Sequence, residues 1–133
     1  EVKALSTRFK EATAPQGADV IYDAVGGDYA EAALRAIAWE GRFLVIGFPA
    51  GIPRIPLNLA LLKGCQIVGV FWGAFCDRNP EINRINNQKL MSLYERGEIK
   101  PLVSARYPLP DAGKGISDLA QRRALGKIVI TTA

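Results

Sequence analysis

Three short apolar runs in this chain each end in glycine. Val20 to Tyr22 leads into Asp23-Ala24-Val25-Gly26-Gly27, Arg42 to Ile46 into Gly47-Phe48-Pro49, and Gln66 to Val70 into Phe71-Trp72-Gly73. Glycine lets a backbone approach a ligand closely, and in an open α/β sheet ligands bind beyond the carboxyl ends of the strands. Two of the three ends also carry aromatic rings. Such a row suits a flat ring system and a phosphate-bearing chain laid across a sheet edge. The same glycines also serve simply to punctuate strand-to-helix turns, so the pattern alone leaves both readings open.

Other chemistries are excluded. The sequence contains no histidine, which removes histidine zinc ligands, Ser-His and Cys-His nucleophile systems and an imidazole general base. No residue stands out as a general acid or base. Asp23 ends a strand, where a carboxylate serves turn backbone as readily as catalysis. The dinucleotide fingerprint GxGxxG is absent, since Gly113-Lys114-Gly115 lacks the third glycine and follows no parallel strand. Cys65 and Cys76 read as a pair of reduced thiols in a cytoplasmic protein.

The elements that would position the glycine turns follow from periodicity. Gly17 to Pro49 reads as a βαβ unit. Asp28 and Glu31 have capping-box spacing, and Ala30, Ala33, Leu34, Ile37 and Ala38 form one helical stripe. Gly41 stands where a left-handed helix cap is wanted, and Arg42 to Ile46 follow as a strand. Strands apolar on both faces imply a parallel sheet covered by helices on each side. Upstream, Glu1 to Ala14 reads as the back half of a crossover helix ended by Pro15 and Gly17. Downstream, Leu57 to Lys63 is a short helix stopped by Gly64, and Gln66 to Trp72 a third strand. A helix opened by Asp77 to Pro80 and capped by Gly97 comes next. A strand within Glu98 to Pro108, a helix from Pro110 to Ala124 and a strand from Lys127 to Thr131 close the chain. The break between the sheet and this strand-helix-strand segment is expected near Gly97 to Pro101.

The 133 residues suffice for one domain, and 49% hydrophobic with 23% charged is ordinary globular composition. The net charge of +4 comes from 17 scattered basic residues with no nucleic-acid motif. No nucleic acid and no membrane partner are therefore expected. The chain starts without Met inside an expected helix, which suggests a fragment of something longer.

Taken in order, GADVIYDAVGG, GRFLVIGFPAGIPRIPLNLALLKGCQIVGVFWG, a YPL element and RRALGKIVI closely resemble the C-terminal part of medium-chain dehydrogenases/reductases. Within that superfamily the chain is most similar to the NADPH:quinone oxidoreductase, or zeta-crystallin-like, branch, and the resemblance covers essentially its whole length. It implies an α/β fold: the second half of a Rossmann-type doubly wound parallel sheet, strands four to six, plus the C-terminal strand-helix-strand segment. Residues 1–99 would be the partial coenzyme domain, and residues 100–133 a segment returning to a GroES-like catalytic domain. The glycine-rich phosphate loop would lie in the rest of the protein.

By matching position, the resemblance implies cofactor contacts at Val25 and Gly26, beside the adenosine side of NADPH. Gly47 and Phe48 would border the nicotinamide, and Phe71, Trp72 and Gly73 would pack near the carboxamide. Arg123 resembles an arginine that approaches the NADPH phosphate in some members, although a solvated helix-end arginine fits it equally. The implied activity is zinc-independent reduction of quinones or α,β-unsaturated carbonyls by hydride transfer. An enoyl-thioester reductase of the same superfamily and a non-catalytic dimerisation module are the alternatives. The family also implies a homodimer through strand 66–72, since an uncovered apolar edge invites pairing. The isolated 133 residues are expected to show no turnover and at most weak NADPH binding.

Overall fold

The structure, a computed structural model, describes residues 2–132, so the expected helical start at Glu1 lies outside them. The chain forms two compact units, one extending to Arg78 and the other starting at Asn79. Among the described residues, no helix is long and apolar enough to cross a membrane.

The first unit runs α1 (Val2–Ala12), β1 (Ala18–Asp23), α2 (Asp28–Leu34), β2 (Ile37–Val45), α3 (Asn58–Lys63), β3 (Gln66–Gly69) and α4 (Trp72–Arg78). Its three strands lie in the order β1-β2-β3 and all neighbours are parallel, as the βαβ reading requires. The core is formed by Ala30 and Leu34 of α2, Ile37 and Phe43 of β2 and Leu59 of α3, with Ile21 and Val45 packed against them. α2 and α3 therefore occupy one face of the sheet. The alternate residues of β1, Val20 and Tyr22, point away from that core, and Tyr22 is 69% exposed.

Several boundaries differ from the sequence reading. α2 ends at Leu34, and Ile37 and Ala38 belong to β2 rather than to the helix. Backbone pairing prevails there, because the Ala18 amide donates to the Ala36 carbonyl at 3.0 Å and Ala18 stands opposite Ile37. Ala36, Ile37 and Ala38 are all buried, so their apolar pattern fits either element. Gly41 is not a left-handed cap: the positive φ of 59° belongs to Glu40. Gly41 is needed for packing, since a Cβ there would come within 2.7 Å of Ile37 Cγ1.

The capping box is also absent. Gly27, with φ 55°, occupies the cap position without a side-chain bond, and Glu31 instead pairs with Arg35 at 2.7 Å. The third strand stops at Gly69 instead of reaching Trp72. The Phe75 amide donates to the Phe71 carbonyl at 3.0 Å, and this helical bond starts α4 where a strand end was expected. Gly64 does close α3 in the left-handed conformation, as read.

The second unit contains α5 (Pro80–Glu95), β4 (Val103–Pro108), a 3-10 turn (Leu109–Asp111), α6 (Ala112–Ala120) and β5 (Lys127–Thr131). β4 and β5 pair in parallel with α6 between them in sequence, the strand-helix-strand order expected, while α5 also falls in this unit. Gly113 and Gly115 of α6 therefore do follow a parallel strand, contrary to the sequence reading. The helix expected over Pro110 to Ala124 is shorter, and the strand expected within Glu98 to Pro108 begins at Val103. Gly115 brings α6 down onto the two strands. A Cβ there would lie 3.1 to 3.3 Å from Ile128, Tyr107 and Ile130.

Candidate functional site

The carboxyl ends of β1 and β2 are tied into one structure. Asp23, buried at the end of β1, accepts hydrogen bonds through Oδ1 from the amides of Val25 (3.0 Å) and Gly26 (2.9 Å). This is an Asx turn, in which a short carboxylate stands in for a carbonyl. Asp23 thus holds the turn, the structural one of the two uses left open for it. The Ile46 amide donates to the Asp23 carbonyl at 2.9 Å and continues the ladder. Beyond it, Ala50 donates to the Val25 carbonyl (2.9 Å) and Gly27 to the Gly51 carbonyl (2.7 Å). The turn after β1 and the loop after β2 therefore interlock.

The glycines here have different tasks. Gly26 (φ 71°) and Gly27 (φ 55°) are fixed by the fold itself, because a Cβ would come within 2.7 Å of the Gly51 carbonyl oxygen or 2.6 Å of the Ala50 carbonyl oxygen. Gly47 is different: the nearest atom to a Cβ there is the Ala24 carbonyl oxygen at 3.9 Å. Gly69, at the end of β3, has nothing within 4 Å. The first pair closes the turns, while a Cβ at either of the second pair would meet no close neighbour.

Of the residues singled out from sequence, Val25, Gly26, Gly47 and Phe48 are brought together. The Phe48 ring lies 3.1 Å from where a Gly26 Cβ would stand, and its carbonyl accepts from the Gly51 amide at 2.9 Å. Phe71 and Trp72 follow the end of β3, which the Val70 amide ties to the Val45 carbonyl at 2.9 Å. Gly73 lies inside α4 rather than in a strand-end turn. Trp72 stacks on Phe75 with ring centroids 5.3 Å apart and planes inclined by 20°.

Arg123 lies in the second unit. Its Nε and Nη2 donate to Asp118 Oδ1 at 2.9 and 2.6 Å, while the Tyr107 hydroxyl donates to Asp118 Oδ2 at 2.5 Å. The Tyr107 hydrogen bond, and then Arg123, hold the Asp118 carboxyl below its usual 3.8, against the opposing effect of burial. The same bond raises Tyr107 above its usual 10.0. This network fastens β4 to α6 and the turn after it.

The sequence reading missed Ala50 and Gly51, which complete the interlocked turns. Their signal was the Ala-Gly pair within the Pro-rich loop. It also missed Asp118 and Tyr107, whose pairing depends on tertiary contact. Beside the turns, Gly27, Asp28, Gly51 and Arg54 border a hollow of about 350 Å³. Cys65 and Cys76 are free thiols, and among the described residues no group of three or more His, Cys, Asp or Glu could hold a metal ion.

A parallel sheet with strand ends open above Gly47 and Gly69 defines the class: a piece of a Rossmann-type nucleotide-binding fold. The profile of the zinc-binding dehydrogenase family matches residues 2–130. The chain belongs to that family, and within the medium-chain dehydrogenases/reductases to the quinone oxidoreductase-like group. A relative from Nematostella vectensis, the quinone oxidoreductase-like protein 2 homolog, is 38% identical over 130 residues, which are 96% of this chain and 36% of that protein. A mycobacterial structure complexed with NADPH superposes with a TM-score of 0.79 at 23% identity, covering 98% of this chain and 40% of the other. The JamJ enoyl reductase does so with a TM-score of 0.75 at 22% identity, covering 98% and 39%. The two structures share the fold. The chain spans little more than a third of the length of the curated relative it matches.

Proposed function

We propose that the chain is part of an NADPH-dependent oxidoreductase that reduces quinones or α,β-unsaturated carbonyls by direct hydride transfer. The observation that carries this reading is the 38% identity to a quinone oxidoreductase-like protein across 96% of the chain. The open strand ends support it. NADPH, when bound, supplies the hydride. The contribution of this chain is a wall: the backbone beside Val25 and Gly26, the space above Gly47 with the half-exposed Phe48 ring, and the residues after β3. No side chain of that wall is assigned a proton. Arg123 would reach a cofactor phosphate only by sharing its guanidinium with Asp118.

In this reading residues 1–99 are coenzyme domain, and residues 100–133 return to a catalytic domain supplied by the rest of the protein. The reaction needs no zinc, and the setting is cytoplasmic. Two copies pair along β3, all four of whose residues are exposed. The test is oxidation of NADPH by the full-length protein, with tetramethylbenzoquinone and a crotonyl thioester as rival acceptors. Faster turnover of the quinone is expected. Preference for the thioester would make it an enoyl reductase, and no oxidation with either acceptor would overturn the enzyme reading.

A further inference from the structure

The sheet of the first unit ends unevenly, and one side chain decides where. In a parallel ladder, a residue that donates to the neighbouring strand accepts from the residue two positions further along it. The Ile46 amide donates to the Asp23 carbonyl at 2.9 Å, so the next rung would run from the Val25 amide to the Ile46 carbonyl. That rung is not made. The Val25 amide turns instead to Asp23 Oδ1 at 3.0 Å, and the Gly26 amide joins it at 2.9 Å. A hydrogen bond to a carboxylate is roughly twice as strong as one to a neutral carbonyl, so Oδ1 takes the amide.

The consequence falls on β2. Among the described residues, the Ile46 carbonyl accepts no hydrogen bond, and the Gly47 and Phe48 amides donate none. On the other side, the Val70 amide still reaches the Val45 carbonyl at 2.9 Å. The rung after it, from the Gly47 amide to the Val70 carbonyl, is absent as well. The middle strand therefore ends in a backbone acceptor and backbone donors that another molecule must satisfy.

We propose that Asp23 is a positioning residue for the cofactor: it withholds the Val25 amide from the ladder, so that the backbone of Ile46 and Gly47 stays free to pair with NADPH. This rests on the oxidoreductase reading and deepens it, tracing the polarity of one wall to a side chain that the cofactor need not touch. Without the carboxylate, the Val25 amide closes the rung onto Ile46. The wall then loses an acceptor where a dinucleotide would lie.

Calorimetric titration of the full-length protein with NADPH, with no electron acceptor present, provides the first test. Asp23→Ala is compared with Asp23→Asn, which keeps an oxygen for both amides, and with Ile37→Val. Ile37 is buried at the opposite end of β2, so its variant loses stability without touching the rim. Asp23→Ala is expected to weaken NADPH binding about 3- to 10-fold, the net value of one hydrogen bond. Asp23→Asn and Ile37→Val are expected to stay within about twofold of wild type. Unchanged affinity in Asp23→Ala, or an equal fall in either of the other variants, overturns the proposal. A wild type that binds no NADPH overturns the oxidoreductase reading itself, and the cofactor role of Asp23 with it.

A second measurement needs neither cofactor nor turnover. In the wild type, the Val25 and Gly26 amides are both held by Asp23 and should exchange their hydrogens slowly. In Asp23→Ala the Gly26 amide should become fast, whereas Val25 should stay protected by its new bond to Ile46. Fast exchange at both positions means that the rung does not close. That result overturns the proposal even where NADPH binding is weakened.

Discussion

Asp23 shows how one carboxylate can organise a strand end. Its Oδ1 accepts two amide hydrogen bonds in a buried position, and nothing else on its side chain replaces them. Asp23→Ala is expected to lower stability by about 1–3 kcal/mol, because two amides lose their acceptor. Asp23→Asn, which keeps an oxygen, is expected to cost less. Urea unfolding of the two variants side by side checks the order. Asp118 invites a different measurement, since its state depends on pH. Its carboxyl is depressed first by Tyr107 and then by Arg123, so its stabilising contribution is complete above 3.8 and is lost as pH falls through the lower folded value. Tyr107 has the opposite sign: its contribution is complete below 10.0 and is lost as pH rises through the raised folded value. Thermal unfolding followed against pH should show the acid limb flattened in Asp118→Asn and the alkaline limb flattened in Tyr107→Phe. Unchanged limbs would show that the network does not couple to folding.

At the scale of elements, the glycine turns separate into those the fold needs and those it leaves open. Gly26→Ala would require a strained φ and a contact of 2.7 Å with backbone, and is expected to destabilise by about 1–3 kcal/mol. Gly47→Ala meets nothing closer than 3.9 Å and is expected to change stability by less than about 0.5 kcal/mol. It should weaken NADPH binding to the full-length protein, because the added methyl occupies the space above the sheet edge. Calorimetry of binding and of unfolding on the same two variants separates the effects. The parallel strands and most helices were legible from period and punctuation, as Gly64 and the Lys127 to Thr131 strand show. The end of α2 was not, because Ala36 to Ala38 are buried in either conformation and pairing with Ala18 decides. Nor was α4. An apolar run ending in Phe71-Trp72 reads as strand, and only the Phe71 to Phe75 backbone bond reveals the helix. Val25, Gly26, Gly47 and Phe48 could be placed at strand ends for the same reason as the strands, whereas Trp72 and Gly73 lie in α4 and the partners of Arg123 come from contacts that no local pattern encodes.

At the scale of the whole molecule, β3 is the feature with the clearest outcome. Ile67 and Val68 are 37% and 36% exposed on a strand paired only with β2 among the described residues. If two copies join along this edge, Val68→Lys in the full-length protein should shift sedimentation from dimer toward monomer, while leaving the fold intact by circular dichroism. A wild-type protein that sediments only as monomer at tens of micromolar would exclude this pairing. For the 133 residues alone, little NADPH affinity and no quinone turnover are expected, and the NADPH oxidation assay checks both against the full-length protein.

The interlocked turns have one more consequence, for engineering. The Gly27 amide rests on Gly51, and the Ala50 amide on Val25, so each turn supplies the hydrogen-bond partners of the other. Residues 23–27 and 46–51 therefore form a single exchangeable cassette. A chimera that imports one turn from a homologue without its mate inherits unmatched donors and a carbonyl aimed at a side chain. Transplanting both together preserves the joint, and swaps of cofactor specificity at this edge should be designed in pairs.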